Sequence, residues 1–329
     1  MKKKTAQRDA KLLEARVYPL VGGVPLREFT VEHAERVMAA LPKHLSAATR
    51  RQHAQVIARI LRLAAYPVRA IESSPIPRGF VPPQRSTKAL AYLYPDEDRA
   101  LLGCGEVPLG VRVLFGFLAR EGMREGEARA LAWSDLDLAR GSLTLDRNKT
   151  DDPRAWVLDH GVVRALRRWR TLLGEPGPDA LVFGEIGFDW HHAAVAFRRY
   201  LRAAGVRRPE LFRRTAQRLP IRVHDLRGTF VTISLANGRS EAGVSERTGH
   251  RSSVMINRYR RMASHAGQLG LGPLAPLDRA IPELAPAGGA GARVPETGRE
   301  MGREMGTVGD EAGAGASHNP GITTNAGLA

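Results

Sequence analysis

The sequence predicts a mainly α-helical protein with a small three-stranded antiparallel sheet, an α+β fold. Apolar residues recur at helical spacing over most of residues 30–120 and 160–259, whereas they alternate with polar residues between 136 and 158. A proline-rich stretch at 73–89 interrupts the helical pattern. Together these observations predict a helical N-terminal domain followed by a larger mixed domain.

The N-terminal domain is predicted from two consecutive amphipathic segments. Thr30 can cap a first helix, because apolar residues follow it at helical spacing through residues 31–41. Ser46 opens a second helix with an apolar stripe at residues 56–63. The second helix also carries basic residues that remain available for solvent or phosphate: Arg50, Arg51, Arg59 and Arg62.

Four prolines within the nine positions from Pro75 to Pro83 forbid a continuous helix there. We therefore predict a short helical domain at 1–82, with its linker at about 73–89, and a second domain at 83–262. Residues 263–329 hold 14 of the 34 glycines and no aromatic residue, so we expect this tail to be largely disordered. Within it, only residues 269–284 are apolar enough to dock as a short segment.

The second domain is predicted to begin with helices and then to change pattern. Pro95 and the three acidic residues after it suit a helix start, and helices are expected at about 95–103 and 108–120. Three short strands follow from the alternating pairs Leu136 and Leu138, Leu143 and Leu145, and Trp156 and Leu158. Helical spacing then returns and continues to Tyr259.

The charge of the chain points to a polyanionic partner. The 329 residues include 50 Lys plus Arg and 34 Asp plus Glu, a formal charge of +16. Residues 1–262 alone hold 46 basic and 27 acidic residues, a formal charge of +19, and nucleic acid is the simplest partner for such a surplus. With a single cysteine and no apolar stretch long enough for a signal or a membrane span, the expected location is cytoplasmic.

Several common kinds of active site are absent from the sequence. It contains no Gly-x-Ser-x-Gly, His-Glu-x-x-His, Cys-x-x-Cys or Gly-Lys-Ser/Thr motif, which argues against hydrolase, metal and nucleotide sites. What remains is a set of polar residues within otherwise apolar helical segments. Arg124 is expected to be partly buried and so to need an anionic partner, for which Glu127 is the candidate.

Each of these residues alone has an ordinary structural explanation, but the set fits attack of a tyrosine on a phosphodiester. That reaction needs cations on the nonbridging oxygens, a further donor, an acid for the leaving 5′ oxygen and a base near the phenol. Nearby cations are also expected to favour the ionised phenol. The candidates are Tyr259 as nucleophile, Arg124 and Arg227 as the clamp, His250 as donor, Lys149 as acid and His224 as base.

These residues resemble the motifs of the tyrosine recombinases, also called the phage integrase family. Gly122-Met123-Arg124-Glu125-Gly126-Glu127 resembles the first arginine motif of that family, and Lys149 resembles its hairpin lysine. His224-Asp225-Leu226-Arg227, Gly249-His250 and Tyr259 resemble its second motif. The six positions occur in the order that the family uses.

The resemblance implies a core-binding domain and a catalytic domain that clamp duplex DNA and exchange strands in a homotetramer, with integration or excision of mobile DNA as the outcome. It implies neither a metal nor another cofactor, because the energy stays in a 3′-phosphotyrosine bond. Nucleoid association and accessory DNA-bending proteins are further expectations. The expected DNA contacts are Arg50, Arg51, Arg198, Arg202, Arg213 and Arg214.

Two alternatives remain open at this point. The first is a protein that keeps the fold and binds DNA without strand exchange, which the short N-terminal domain and the unusual tail would suit. The second is a type IB topoisomerase, which relaxes DNA with a similar tyrosine site.

Overall fold

The computed structural model of the protein describes residues 3–83, 88–146, 153–249 and 253–286. The helices of the N-terminal part are α1 (Lys3–Arg16), α2 (Tyr18–Val21), α3 (Val31–Ala40) and α4 (Ala47–Ala65). The helices that follow are α5 (Pro95–Gly103), α6 (Leu109–Glu121), α7 (Glu125–Ala128), α8 (His160–Leu172), α9 (Ala193–Ala203), α10 (Asp225–Ala236), α11 (Glu241–Thr248), α12 (Ser253–Gln268) and α13 (Leu277–Ala280). The strands are β1 (Leu136–Asp137), β2 (Ser142–Leu145) and β3 (Arg154–Val157).

The predicted fold class is confirmed. The three strands form one antiparallel sheet in the order β1-β2-β3, in which Leu143 lies opposite both Leu136 and Trp156. Leu143 is fully buried, so the sheet turns one face toward the helices. The rest of the described chain is helical or irregular, as the spacing of its apolar residues predicts.

The N-terminal helices have an apolar core of their own. Leu13, Val37 and Ile57 belong to it, which brings together α1, α3 and α4. The sequence analysis predicted no helix before Thr30, so α1 is a correction. Its sequence is rich in Lys and Arg and buries little more than Leu13, so the periodic apolar pattern that identifies a helix is missing.

The helix starts follow from capping side chains. Ser46 Oγ accepts a hydrogen bond from the backbone N–H of Thr49 at the start of α4, as predicted. Pro95 occupies the first turn of α5, where a carboxylate oxygen of Glu97 accepts from the backbone N–H of Tyr94. These local bonds satisfy donors that have no partner within the helix.

The main core lies beneath α6, which is buried along its whole length. The ring of Phe115 meets that of Phe197 at 4.9 Å between centroids, which joins α6 to α9. At the start of this core, Leu93 N donates to the buried hydroxyl of Thr229 at 3.0 Å. The segment leading into α5 is thereby fixed to α10, the helix that begins with the predicted second motif.

The chain beyond the predicted boundary at 262 continues as ordered structure up to residue 286. Helix α12 runs to Gln268, and Leu277 and Ile281 are fully buried in the main core. Asp278, also buried, accepts hydrogen bonds from Nε and Nη2 of Arg164 on α8. Residues 269–284 thus include the docking segment that the sequence suggests.

Contacts among the residues up to Pro286 group them as one compact unit. The division into domains at 1–82 and 83–262 therefore stays a prediction. The predicted disorder of the tail also stays a prediction, because residues 287–329 lie outside the described part of the chain.

Candidate active site

The first arginine motif is held at a sharp end of α6. Gly122 ends this helix with a left-handed φ of 64°, and a methyl group at this position would overlap the ring of Phe230. After the buried Met123, the chain turns into α7, with Arg124 as the residue that precedes its first turn. The local sequence therefore places the Arg124 side chain beside α10.

Glu127 joins two arginines from different elements. Its Oε1 accepts from Nη1 of Arg124 at 2.7 Å, and its Oε2 accepts from Nη2 of Arg154 on β3 at 2.6 Å. Burial acts to raise the pKa of Glu127, but its hydrogen bonds with Arg124 and the charge of Arg154 outweigh burial and hold the pKa below its ordinary value. The carboxylate therefore stays ionised and keeps both guanidinium groups in place.

Arg227 lies in the first turn of α10 and is buried. Its Nη1 donates to the carbonyl of Gly122 and its Nη2 to the carbonyl of Thr248, both at 2.6 Å. Burial, and then the neighbouring charge of Arg124, lowers the pKa of Arg227 to about 9, so the guanidinium remains charged at neutral pH.

The two predicted clamp arginines share one frame of backbone carbonyls. Arg124 Nη2 donates to the carbonyl of Gly249 at 3.1 Å, next to the Thr248 carbonyl that Arg227 uses. Gly249 ends α11 with a left-handed φ of 64°. We call the carbonyls of Gly122, Thr248 and Gly249 the carbonyl frame. The sequence analysis predicted that Arg124 and Arg227 act together, and the structure places them side by side.

Tyr259 lies on α12 with its ring packed against the start of α10. A methyl group on Gly228 would stand 3.5 Å from Cε1 of the tyrosine ring and 4.0 Å from its hydroxyl oxygen. The side chain is only 6% exposed, and this burial raises the pKa of Tyr259 despite the opposing charge of Arg227. The nearby cations act in the expected direction, toward the ionised phenol, but desolvation outweighs them in this state.

His224 precedes α10 and is exposed. Partial desolvation, followed by the positive charge of Arg227, lowers the pKa of His224 below its ordinary 6.5, so the ring is neutral at pH 7. A neutral imidazole can accept a proton. The other two predicted catalytic residues, Lys149 and His250, lie outside the described residues.

Sequence reasoning missed three residues that the structure adds to this site. Arg154 supports Glu127, and Asp225 receives two hydrogen bonds from the side chain of Arg222, with Nη2 at 3.0 Å from Oδ1. Arg154 belongs to an alternating strand, where a basic residue is ordinarily exposed, so its pattern gave no signal. The Arg222 and Asp225 pair has an i, i+3 spacing that could have suggested it.

Some of the predicted DNA contacts face a common cleft in front of this site. The cleft has a volume of about 970 Å³, and Asp225 is the one acidic side chain among its described lining residues. Its basic lining residues are Arg50, Arg51, Lys88, Arg214, Arg222 and Arg258. This arrangement gives the cleft a positive charge, which suits a phosphate backbone.

The remaining predicted DNA contacts are not in that lining. Arg198 donates from Nη1 to the carbonyl of Ile221 at 3.0 Å, and the guanidinium of Arg202 lies 4.4 Å from the ring centre of Phe212. Arg213 is exposed nearby. Arg50 lines the cleft but also donates to the carbonyls of Met38 and Leu41, so it also holds the end of α3 against α4.

Within the four described ranges of residues, no cluster of three or more His, Cys, Asp or Glu side chains could hold a metal ion. In the same ranges, no helix is long and apolar enough to cross a membrane.

Comparison with known proteins decides the family. A family model described as the phage integrase family matches residues 92–265, more than half of the chain and a range that contains every predicted catalytic residue from Arg124 to Tyr259. The chain belongs to the phage integrase family. This confirms the resemblance drawn from the sequence motifs. The phage integrase family consists of tyrosine recombinases, enzymes that break and rejoin DNA strands.

Two curated phage integrase relatives illustrate the distance within the family. The integrase of Salmonella phage P22 is 24% identical over 244 residues, which cover 69% of this chain and 59% of that protein. Tyrosine recombinase XerC of Xanthomonas axonopodis pv. citri (strain 306) is 28% identical over 238 residues, covering 71% of this chain and 72% of XerC. The chain thus spans about three fifths of the P22 integrase.

Solved phage integrase structures share the fold at lower identity. A lambda integrase dimer bound to a COC′ core site has a TM-score of 0.61 at 18% identity, covering 79% of this chain and 89% of that chain. The Tn1549 transposon integrase in complex with circular intermediate DNA has a TM-score of 0.58 at 17% identity, covering 82% and 94%. A lambda integrase tetramer bound to a Holliday junction has a TM-score of 0.57 at 18% identity, covering 79% and 72%.

Proposed function

We propose that this chain is a site-specific DNA recombinase that cleaves and rejoins strands through a 3′-phosphotyrosine intermediate. The observation that supports it most is the shared carbonyl frame, which presents Arg124 and Arg227 together beside the helix that carries Tyr259. Two guanidinium groups held in this way suit the nonbridging oxygens of a phosphodiester, whose charge grows in the transition state.

The proposed reaction is a reversible phosphoryl transfer. The oxygen of Tyr259 forms a bond to phosphorus as the bond to the 5′ oxygen breaks. His224, neutral at pH 7, takes the proton of the phenol, and Lys149 gives a proton to the leaving 5′ oxygen. His250 adds a hydrogen bond to the phosphate. Attack by a 5′ hydroxyl from another strand reverses these steps, so no cofactor is consumed.

The raised pKa of Tyr259 fits this scheme. A buried neutral phenol is a weak nucleophile, which protects the free protein from reaction with other electrophiles. A phosphate bound between Arg124 and Arg227 brings its phosphorus atom to the phenol oxygen. His224 directly precedes α10, the helix against which the ring of Tyr259 packs. We propose that the proton leaves Tyr259 only in that complex.

The proposed DNA path runs through the cleft lined by Arg51, Arg214 and Arg258. Contacts of this kind fix the position of the duplex without reading its sequence. Lambda integrase forms dimers on a core site and tetramers on a Holliday junction. We propose the same kind of assembly, a homotetramer on DNA, for this chain. Nucleoid association and accessory DNA-bending proteins belong to the same proposal.

The experiment that tests this function compares wild type with Tyr259→Phe. Each protein is expressed in cells and recovered under denaturing conditions, and any DNA that stays attached is sequenced. We expect DNA enriched at one junction with wild type and none with Tyr259→Phe. Tyr66→Phe is the matched control, because Tyr66 is 73% exposed and should leave the adduct unchanged.

Two outcomes would favour the alternatives. Equal adduct yields from wild type and Tyr259→Phe would contradict the choice of nucleophile. Salt-sensitive duplex binding without any adduct would favour a DNA-binding protein that lacks strand exchange. The relatives and neighbours described above are integrases and recombinases, so a relaxing topoisomerase is not favoured.

A further inference from the structure

Glu121 is a buried carboxylate at the last position of α6, directly before the turn that leads to the first arginine motif. Its side chain has no solvent-exposed surface. Three elements donate to it: Trp156 Nε1 of β3 at 2.8 Å, the backbone N–H of Asp159 at 2.9 Å and Arg247 Nη1 of α11 at 2.9 Å. A carboxylate with this many partners fixes the elements that supply them.

Arg247 carries the effect of Glu121 to the next element. Its side chain is only 13% exposed, and its Nη2 donates to the carbonyl of Val157 at 2.5 Å. Arg247 comes immediately before Thr248 and Gly249, two members of the carbonyl frame. The ion pair between Glu121 and Arg247 thereby ties the end of α11 to β3 and to the end of α6.

The third member of the frame lies on the other side of the same ion pair. Gly122, whose carbonyl accepts from Arg227, follows Glu121 directly in the chain. The ion pair therefore joins the same two segments that Arg227 bridges. Glu121 directly precedes Gly122, and Arg247 directly precedes Thr248. Neither Glu121 nor Arg247 belongs to the six predicted catalytic residues, and neither contacts the position proposed for the phosphate.

We propose that Glu121, acting through Arg247, is a positioning residue that holds the carbonyl frame and thereby sets the spacing of Arg124 and Arg227. This inference rests on the proposed function and adds to it a part of the site outside the reacting groups. Small displacements of clamp groups reduce rate far more than they reduce binding, because the clamp acts in the transition state.

The surroundings of Glu121 make its charge sensitive to pH near neutrality. The charged groups that face it are Arg247 from α11 and Asp159 at the start of α8, with Arg239 beyond Arg247. Burial, only partly offset by Arg247, raises the pKa of Glu121 to about 7. The carboxyl group is therefore protonated below this pH and ionised above it, and the ion pair with Arg247 is complete only above it.

The kinetic test uses a nicked duplex that carries the junction recovered from the wild-type adduct. At pH 8, Glu121→Gln should lower the rate of adduct formation on bound DNA by about 10- to 100-fold, with half-saturating DNA concentration nearly unchanged. The wild-type rate should rise with pH through a midpoint near 7, and Glu121→Gln should lose this rise. Glu121→Asp keeps the charge and should recover part of the rate.

A matched control separates positioning from loss of stability. Asp98 is a second buried carboxylate that pairs with α6, since its Oδ2 accepts from Nη2 of Arg120 at 2.8 Å. Its hydrogen bonds with Arg120 do not involve the carbonyl frame. Asp98→Asn should lower the melting temperature as much as Glu121→Gln does, without lowering the rate of cleavage at a temperature where both variants are folded.

A spectroscopic readout tests the contact without DNA. The indole N–H of Trp156 donates to Glu121, so its ¹⁵N–¹H signal should shift with pH through a midpoint near 7. Trp156→Phe identifies the signal, and the shift should be absent in Glu121→Gln. An unshifted signal in wild type would overturn the pH dependence.

The outcomes distinguish this inference from the proposed function. Absence of any adduct with wild type overturns both. An adduct with wild type and an equal cleavage rate with Glu121→Gln overturns only the positioning role. A rate loss that Asp98→Asn reproduces would assign the effect to general destabilisation, which also contradicts the inference.

Discussion

Arg124 and Glu127 are joined at two points. The side-chain Nη1 of Arg124 donates to Oε1 of Glu127 at 2.7 Å, and the backbone N–H of Arg124 donates to Oε2 at 3.0 Å. The Glu127 carboxylate thus caps α7 through the backbone N–H of Arg124 and also fixes the Arg124 guanidinium. Because Oε2 also accepts from Arg154, the position of the Arg124 guanidinium depends on β3.

Glu127→Gln should destabilise the protein and slow cleavage together. An amide keeps one acceptor oxygen and turns its NH₂ toward a guanidinium, so we expect a loss of about 1.5–3 kcal/mol in the free energy of unfolding. Urea unfolding measures this loss. The pKa of Glu127 is lower in the folded state than in the unfolded state, where it is about 4.5. Its contribution to the free energy of unfolding is therefore full above the unfolded pKa and is lost as the pH falls through the folded pKa. An unchanged urea midpoint at pH 7 would contradict this role.

Arg124→Ala and Arg227→Ala should each reduce cleavage more than DNA binding. Removal of a single transition-state donor typically reduces rate by about 10²- to 10³-fold, whereas one phosphate contact adds little to the affinity of a long duplex. Adduct formation and duplex binding are measured on the same DNA. Arg140→Ala is the control, since this side chain is 85% exposed in the turn between β1 and β2. Equal losses of rate and affinity would argue against the clamp.

Gly249→Ala should damage both stability and activity. The left-handed φ of 64° costs an alanine about 1–2 kcal/mol, and its methyl group would overlap Nη1 of Arg154. Differential scanning calorimetry and the adduct assay measure the two effects. Gly126→Ala provides the control, because no neighbouring atom lies within 4 Å of a methyl group there and alanine favours the helix. Similar melting temperatures for the two variants would rule out the steric argument.

Arg214→Ala should weaken DNA binding and its dependence on salt. Arg214 is exposed and lines the positive cleft, so its proposed role is a phosphate contact. Loss of one such contact should reduce the slope of log affinity against log salt by about 0.9, equally for any duplex sequence. Binding titrations between low and physiological salt provide the slope. A change confined to one DNA sequence would indicate base recognition instead.

Local sequence patterns were sufficient for much of the fold. Ser46 and Pro95 marked helix starts because their effects act within one turn, and the alternation around Leu143 identified the sheet because side chains in a strand alternate between faces. Helix α1 was missed because its stability comes from packing of Leu13 against other helices, which no local pattern records. Intrinsic propensity alone is a weak guide in such a case.

The site was predicted unevenly for a related reason. Arg124 and Arg227 were identifiable because they occur in short motifs, and Glu127 because it lies one turn from Arg124. Arg154 contacts Glu127, and Glu121 pairs with Arg247, although these partners are far apart in the chain. The second pair is separated by 126 residues. Only folding brings such partners together, and a buried pair of this kind has no signature in a single sequence.

The docking of residues 277–284 has a consequence for the order in which the protein matures. Leu277, Ile281 and Leu284 complete the main core, yet the ribosome makes them after every residue of the proposed reaction, Tyr259 included. A nascent chain that ends at residue 268 carries the whole reactive set over an unfinished core. Translation that stops before residues 277–284 therefore leaves an incomplete core, which exposes the polypeptide to proteases and chaperones, and the proposed chemistry requires that this stretch has been made.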